Sequence, residues 1–143
     1  MTPQDYEKAV FVTAVWRLSR SNDPTELCAV ACTIRNHIFP RPGQVQTYKS
    51  FSEASRDFLR VYPVRDEPTL DESALVSYPD GLLSIVDDVY SCRYPDLTAT
   101  STTPGARYFG RASEIIQDPN HWMYGIVTAH QLLGTFGSQQ FFS

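Results

Sequence analysis

A surplus of basic residues is the first thing this chain lacks. Its 12 Lys and Arg stand against 16 Asp and Glu, a net charge of -4, with a pI near 5.2. Such a surface offers no electrostatic footprint for phosphates, so nucleic acid is not an expected partner. A long apolar run is missing as well. The longest candidate, residues 27–34, falls far short of the roughly 20 apolar residues that span a bilayer, so no membrane insertion is expected. The opening Met1-Thr2-Pro3-Gln4-Asp5 has no charged-then-apolar signal pattern, and no signal peptide is read there. Cysteine is sparse: three residues, Cys28, Cys32 and Cys92, are odd in number and hold no Cys-x-x-Cys pair, which argues against a disulfide framework. Cys28 and Cys32, four apart on one helical face, read as small buried hydrophobes. There is no internal repeat and no heptad run. Asp118, His121 and His130 fit no zinc spacing, and no serine or cysteine sits in a nucleophile elbow, so neither metal nor cofactor is expected.

What the chain does have is core. With 42% hydrophobic and 13% aromatic residues in 143, it is about one domain long, and residues 1–143 are read as a single domain. Asp23-Pro24-Thr25-Glu26 is a strong helix start, with Asp23 as N-cap, Pro24 in the first turn and Glu26 placed to close a capping box. The residues that follow, 27–34, are apolar or small on every face, which predicts a buried helix over 24–37 ending in Arg35-Asn36-His37. Thr2 and Pro3 predict a first helix to about Ser19. Ser50-Phe51-Ser52-Glu53 opens a third, and Pro79-Asp80-Gly81 precedes a fourth with Leu82, Ile85, Val86 and Val89 as its stripe. A helical stretch from Leu70 to Tyr78 is possible. Residues 98–104 read as a surface loop. Beyond Gly105, residues 107–109, 126–128 and 139–142 are aromatic and β-branched, which predicts a small antiparallel sheet, and hence an α+β fold. One of Phe141 and Phe142 is expected to face the core and the other outward.

Several segments stand in an order that resembles the SleB/CwlJ-like cell wall hydrolases, which cleave peptidoglycan glycan strands. They are Ser19-Arg20-Ser21-Asn22, Ile34-Arg35-Asn36, Phe51-Ser52, Asp96-Leu97-Thr98, Gly105-Ala106-Arg107-Tyr108-Phe109, Pro119-Asn120-His121-Trp122 and Gly137-Ser138-Gln139-Gln140-Phe141-Phe142. The resemblance covers most of the chain and implies a lysozyme or transglycosylase-like domain, its helical core built around one buried central helix. It also exposes departures. Leu18 stands where the family has its proposed catalytic glutamate, Asn22 where its motif has a second acid, Gln139 where a His is frequent, and Tyr108 and Gly110 where a His-Phe-His pattern is common. Glycosidic cleavage needs a protonatable group beside the leaving oxygen, and Leu cannot serve.

The expectation is therefore a catalytically degenerate SleB-like domain, a structural or assembly component of a phage virion, located in the virion or the host cytoplasm. Two alternatives stand beside it: an active hydrolase or lytic transglycosylase using a relocated acid, and a glycan-binding module that does not cut. The partners are accordingly other virion or assembly proteins, or peptidoglycan strands. Candidate glycan-binding residues are Asn36, His37, Tyr108, Trp122 and Gln139, the amides for N-acetyl groups and the rings as stacking platforms. Surrogate acids are Glu26, Glu53 and Asp96, of which Glu26 is expected in its capping box and Glu53 at the start of the third helix. Asn36 and His37 could equally cap a helix end, and Trp16 is expected in the core.

Overall fold

The computed structural model describes residues 2–65, 79–92 and 95–143. Helices α1 (Pro3–Leu18), α2 (Pro24–Asn36), α3 (Phe51–Val61) and α4 (Leu82–Tyr90) precede strand β1 (Tyr108–Gly110). Two short helices, α5 (Ala112–Ile115) and α6 (Tyr124–Ala129), follow, and strands β2 (Leu132–Phe136) and β3 (Gln139–Phe142) close the order. The fold is α+β, a helical layer joined to a three-stranded antiparallel sheet of order β1-β3-β2. The stretch from Leu70 to Tyr78 lies outside the described residues.

Local chemistry explains the helix starts. Thr2 and Asp5 form a reciprocal capping box at the head of α1, and the Ser50 hydroxyl accepts the Glu53 amide at 3.2 Å at the head of α3. Helix α2 departs from its expected start. Asp23 caps it by accepting the Thr25 amide and hydroxyl at 2.9 and 2.7 Å, but Glu26 does not reach back to close a box. Its side chain turns inward, to donors described below. Every residue of α2 from Glu26 to Asn36 is buried, Val30 and Ile34 completely, as an apolar pattern on all faces requires. The two cysteines of α2 are buried among these hydrophobes, and Trp16 is buried with the Arg65 guanidinium 4.3 Å above its ring.

The C-terminal third holds two corrections. Residues 126–128, expected in a strand, lie in α6, and the extra strand is 132–136 instead. β-Branching favours strands only weakly, and tertiary context decides in so short a segment. The pairing of β3 with β1 is as expected, Tyr108 opposite Phe142 and Phe109 opposite Phe141. Yet both phenylalanines are buried, neither facing outward. Strand β3 is central, so Phe142 is flanked by Tyr108 on one side and Leu132 on the other.

The β2–β3 turn depends on Gly137, whose φ of 62° is left-handed. A Cβ there would stand 2.7 Å from Cβ and Oε1 of Glu26. Gly137→Ala should therefore lower unfolding free energy by about 1–2 kcal/mol from the backbone alone, with the clash adding to it. Gly125, in α6 with open space around it, is the control, and its change to Ala should be neutral or slightly stabilising. Equal urea midpoints for the two variants would show that the turn is not so constrained.

Candidate functional site

Where α2 ends, its polar residues bind two later loops. The Asn36 amide donates to Asp96 Oδ2 at 2.8 Å and to the Ala106 carbonyl at 3.0 Å. Asp96 Oδ1 accepts the Thr98 amide and hydroxyl, and Thr98 Oγ1 accepts the Ala106 amide, all between 2.7 and 2.9 Å. Gly105 admits this close packing, because a Cβ there would lie 1.7 Å from Asp96 Oδ2. Buried Asn36 and half-buried Asp96 thus form a latch between α2 and the two loops.

His37 caps α2 and bridges to the sheet. Its Nε2 lies 2.7 Å from the Arg107 carbonyl, which makes Nε2–H the donor and leaves Nδ1 to accept from Thr47 Oγ1 at 3.3 Å. The Arg107 guanidinium ties the same corner, donating to the carbonyls of Asn36 and Val45 at 2.9 and 2.7 Å. Burial pushes the His37 imidazole down to about 4; the bond to the Arg107 carbonyl opposes this, and the nearby guanidinium adds to it. The ring is therefore a neutral part of the wall of a cleft.

That cleft is aromatic. It encloses about 110 Å³ between His37, Tyr48, Phe58, Tyr62, Tyr108 and Trp122, with Asp57 and Val61 at its edge. A stack of rings supports it: Phe58 on Tyr62 at 4.8 Å and Tyr62 on Phe109 at 4.6 Å. Trp122 meets Tyr62 edge-on at 5.1 Å and is 44% exposed, a broad face held rigidly at the surface. Tyr48 and Asp57 also border an open trough of about 520 Å³, and Tyr62 also borders a pocket of about 140 Å³ on its other side. The cleft therefore shares wall residues with both of these hollows. Of the sequence candidates, His37, Tyr108 and Trp122 come together here. Phe58 reads from the sequence as part of the inner face of α3, whereas Tyr48 and Tyr62 carried no sequence signal, since what unites these rings is a cluster formed on folding.

The carboxylates are engaged elsewhere. Glu26 is fully buried, and its two oxygens accept six hydrogen bonds: from the amides of Arg20, Ser21 and Ser138, from both serine hydroxyls, and from Gln139 Nε2. Gln139 is spent on the same cluster and on the Leu18 carbonyl, at 3.3 and 3.1 Å, although its side chain also borders the pocket beyond Tyr62. Glu53 accepts the Lys49 amide at 3.2 Å at the head of α3 and lines the open trough, not the aromatic cleft. Asp57 accepts from the Tyr48 hydroxyl and from Arg60, and these bonds hold its carboxyl below the usual range, opposite to the shift a general acid needs. Leu18 is completely buried in the core, and Asn22 accepts from Arg65 at 2.9 Å. Asp118, His121 and His130 form no shared site: His121 Nδ1 accepts the Met123 amide and His130 faces the Ser143 carbonyl. No group of side chains able to hold a metal occurs among the described residues.

No family model, curated protein or solved structure matches this chain.

The low folded pKa of His37 has a signed consequence. Unfolded imidazole titrates near 6.5, so the stability that comes from keeping His37 neutral is fully present above that pH and is lost as pH falls toward 4. About 2 kcal/mol of it should disappear between pH 7 and pH 5. Urea unfolding at the two pH values, compared with a His37→Gln variant, isolates the share of this group. A drop of equal size in the variant would refute the assignment.

Proposed function

We propose that this chain is a non-cleaving, glycan-binding domain on a SleB-like scaffold, descended from peptidoglycan hydrolases and without their acid chemistry. The finer architecture, a lysozyme-like domain with α2 as its central helix, belongs to the same proposal. The observation that carries it is the aromatic cleft, in which an exposed Trp122 face stands beside Tyr108 and His37 and the one bordering carboxylate, Asp57, is tied to Tyr48 and Arg60. A sugar ring presents C–H groups to such a face and hydroxyls to the polar edges around it. Adjoining hollows that share walls give a saccharide of several units more than one place to rest.

A hydrolase using Glu26, Glu53 or Asp96 has little support. A proton donor must reach the leaving oxygen, and Glu26 has both oxygens taken up by six internal donors, while Asp96 accepts three hydrogen bonds from Asn36 and Thr98. A purely structural role in a phage particle is the second reading. It is favoured by a groove of about 380 Å³ between α1 and α4, lined by Ala9, Val12, Leu83 and Val86 and also by the charged Asp5, Lys8 and Asp87, a mix suited to a protein neighbour.

Two measurements test the glycan reading. Calorimetric titration with N-acetylglucosamine tetrasaccharide should show binding that Trp122→Ala weakens by about tenfold or more, and incubation with purified peptidoglycan should release no reducing ends or anhydro-sugars. Turnover by the unaltered protein, or an affinity indifferent to Trp122, would overturn it. A separate outcome concerns Leu18. Because that side chain is fully buried, Leu18→Glu should cost about 3 kcal/mol or more by burying a carboxyl and should not create cleavage. A stable variant that cuts peptidoglycan would show that position 18 does face the substrate.

A further inference from the structure

The pocket of about 140 Å³ beyond Tyr62 differs in character from the aromatic cleft, because two arginines face it. Arg20 lies in the turn between α1 and α2, and its backbone amide is held by Glu26. Its guanidinium, however, has no hydrogen-bond or ion-pair partner among the described residues. Arg111, at the head of α5, is only loosely engaged: 3.5 Å to Ser138 Oγ and 3.5 Å to Glu114 Oε1, whose side chain is 62% exposed. His121 adds a donor. Its Nδ1 accepts the Met123 amide at 3.0 Å, which leaves Nε2 to carry the hydrogen. These groups come from segments distant in sequence, brought to one hollow by the Glu26 cluster and the β1 edge.

We propose that this pocket binds the carboxylate of an acidic amino sugar of the muramic type, seated one step along the face from the Trp122 platform. The proposal rests on the glycan reading above and deepens it. Guanidinium groups match a planar carboxylate with paired N–H donors, and Arg20, without a side-chain partner among the described residues, beside the loosely held Arg111 provides the two forks. Glu114 at the rim sets the charge of the guest. A monoanion can displace it from Arg111, whereas a phosphate dianion would meet its repulsion more strongly. The Trp122 and His121 side chains are neighbours, ring centroids 6.2 Å apart, so one saccharide can touch the platform while its acidic substituent enters the pocket.

The experiment compares two tetrasaccharides by calorimetry in low salt: neutral N-acetylglucosamine tetramer, and a peptide-free strand alternating N-acetylglucosamine with N-acetylmuramic acid. The acidic strand should bind about tenfold more tightly. Arg20→Gln and Arg111→Gln should each reduce that advantage, and together erase it, while leaving the neutral tetramer's affinity unchanged. Arg20 and Arg111 should prove replaceable without unfolding, and circular dichroism checks this. In a strand still carrying its stem dipeptide the lactyl carboxyl is amidated: an advantage lost there supports the lactyl carboxylate as the guest, and one retained overturns the preference for it, because the peptide's terminal carboxylate then serves as well. Equal binding of both tetrasaccharides would overturn the carboxylate pocket and leave the glycan reading standing. Binding of neither would overturn the glycan reading, and NMR titration with D-lactate then decides the pocket by itself, shifted Arg20 and Arg111 side-chain signals supporting it and unmoved signals refuting it.

Discussion

The buried carboxylate of Glu26 is the constraint on which most of this structure depends. A carboxylate offers about four acceptor sites, and here they gather donors from the turn between α1 and α2 and from the β2–β3 hairpin. Removing it would take the partner from the half-buried amides of Arg20, Ser21 and Ser138 at once. From the other side Arg65 grips the same turn, donating to the carbonyls of Ser19 and Ser21 and to Asn22 at 2.8 to 3.0 Å. Held between an acid within and a guanidinium without, the turn fixes where Arg20 can point. The pocket beyond Tyr62 inherits its geometry from that clasp.

The segments on which the likeness to cell wall hydrolases rests are, in this chain, largely the ones that hold it together. Asn36, Asp96, Thr98, Gly105 and Ala106 form one continuous latch between α2 and the start of the sheet. Phe51 and Phe109 lie in the core, and Gly137 admits Glu26 to the hairpin. Residues of this kind are kept by packing whether or not any reaction is performed. A scaffold can thus survive with its motif order intact while the positions that would touch substrate change freely.

Elements governed by neighbours in sequence were legible beforehand. The Thr2 cap, the Ser50 cap and the apolar faces of α2 and α4 follow from residues within one or two turns of each other. Glu26 had a sound local option in the capping box, but the serines and amides that claimed it include two residues 112 and 113 positions away. The strand expected over 126–128 failed for the converse reason, since a β-branched trio has too weak a preference to resist its surroundings. Asn36 and Gln139 were expected to meet a ligand because amides suit sugars, yet amides suit carbonyls and carboxylates equally, and those lay closer. Trp122, named as a stacking platform, and Tyr108, named through the resemblance, do line one cleft. Their partners Tyr48 and Tyr62, and the paired arginines, become a site only once the chain has folded.

The span of the Glu26 contacts also governs when the molecule can form. A ribosome delivers α1 and α2 early, but the serine and glutamine that complete their junction emerge more than a hundred residues later. Until then the glutamate has only the α1–α2 turn to bind. Folding should therefore be a late event of synthesis, slow for a domain so rich in helix because its decisive closure spans nearly the whole chain. A chaperone that shields the exposed α2 face during that interval would raise the yield of folded protein without touching the finished structure.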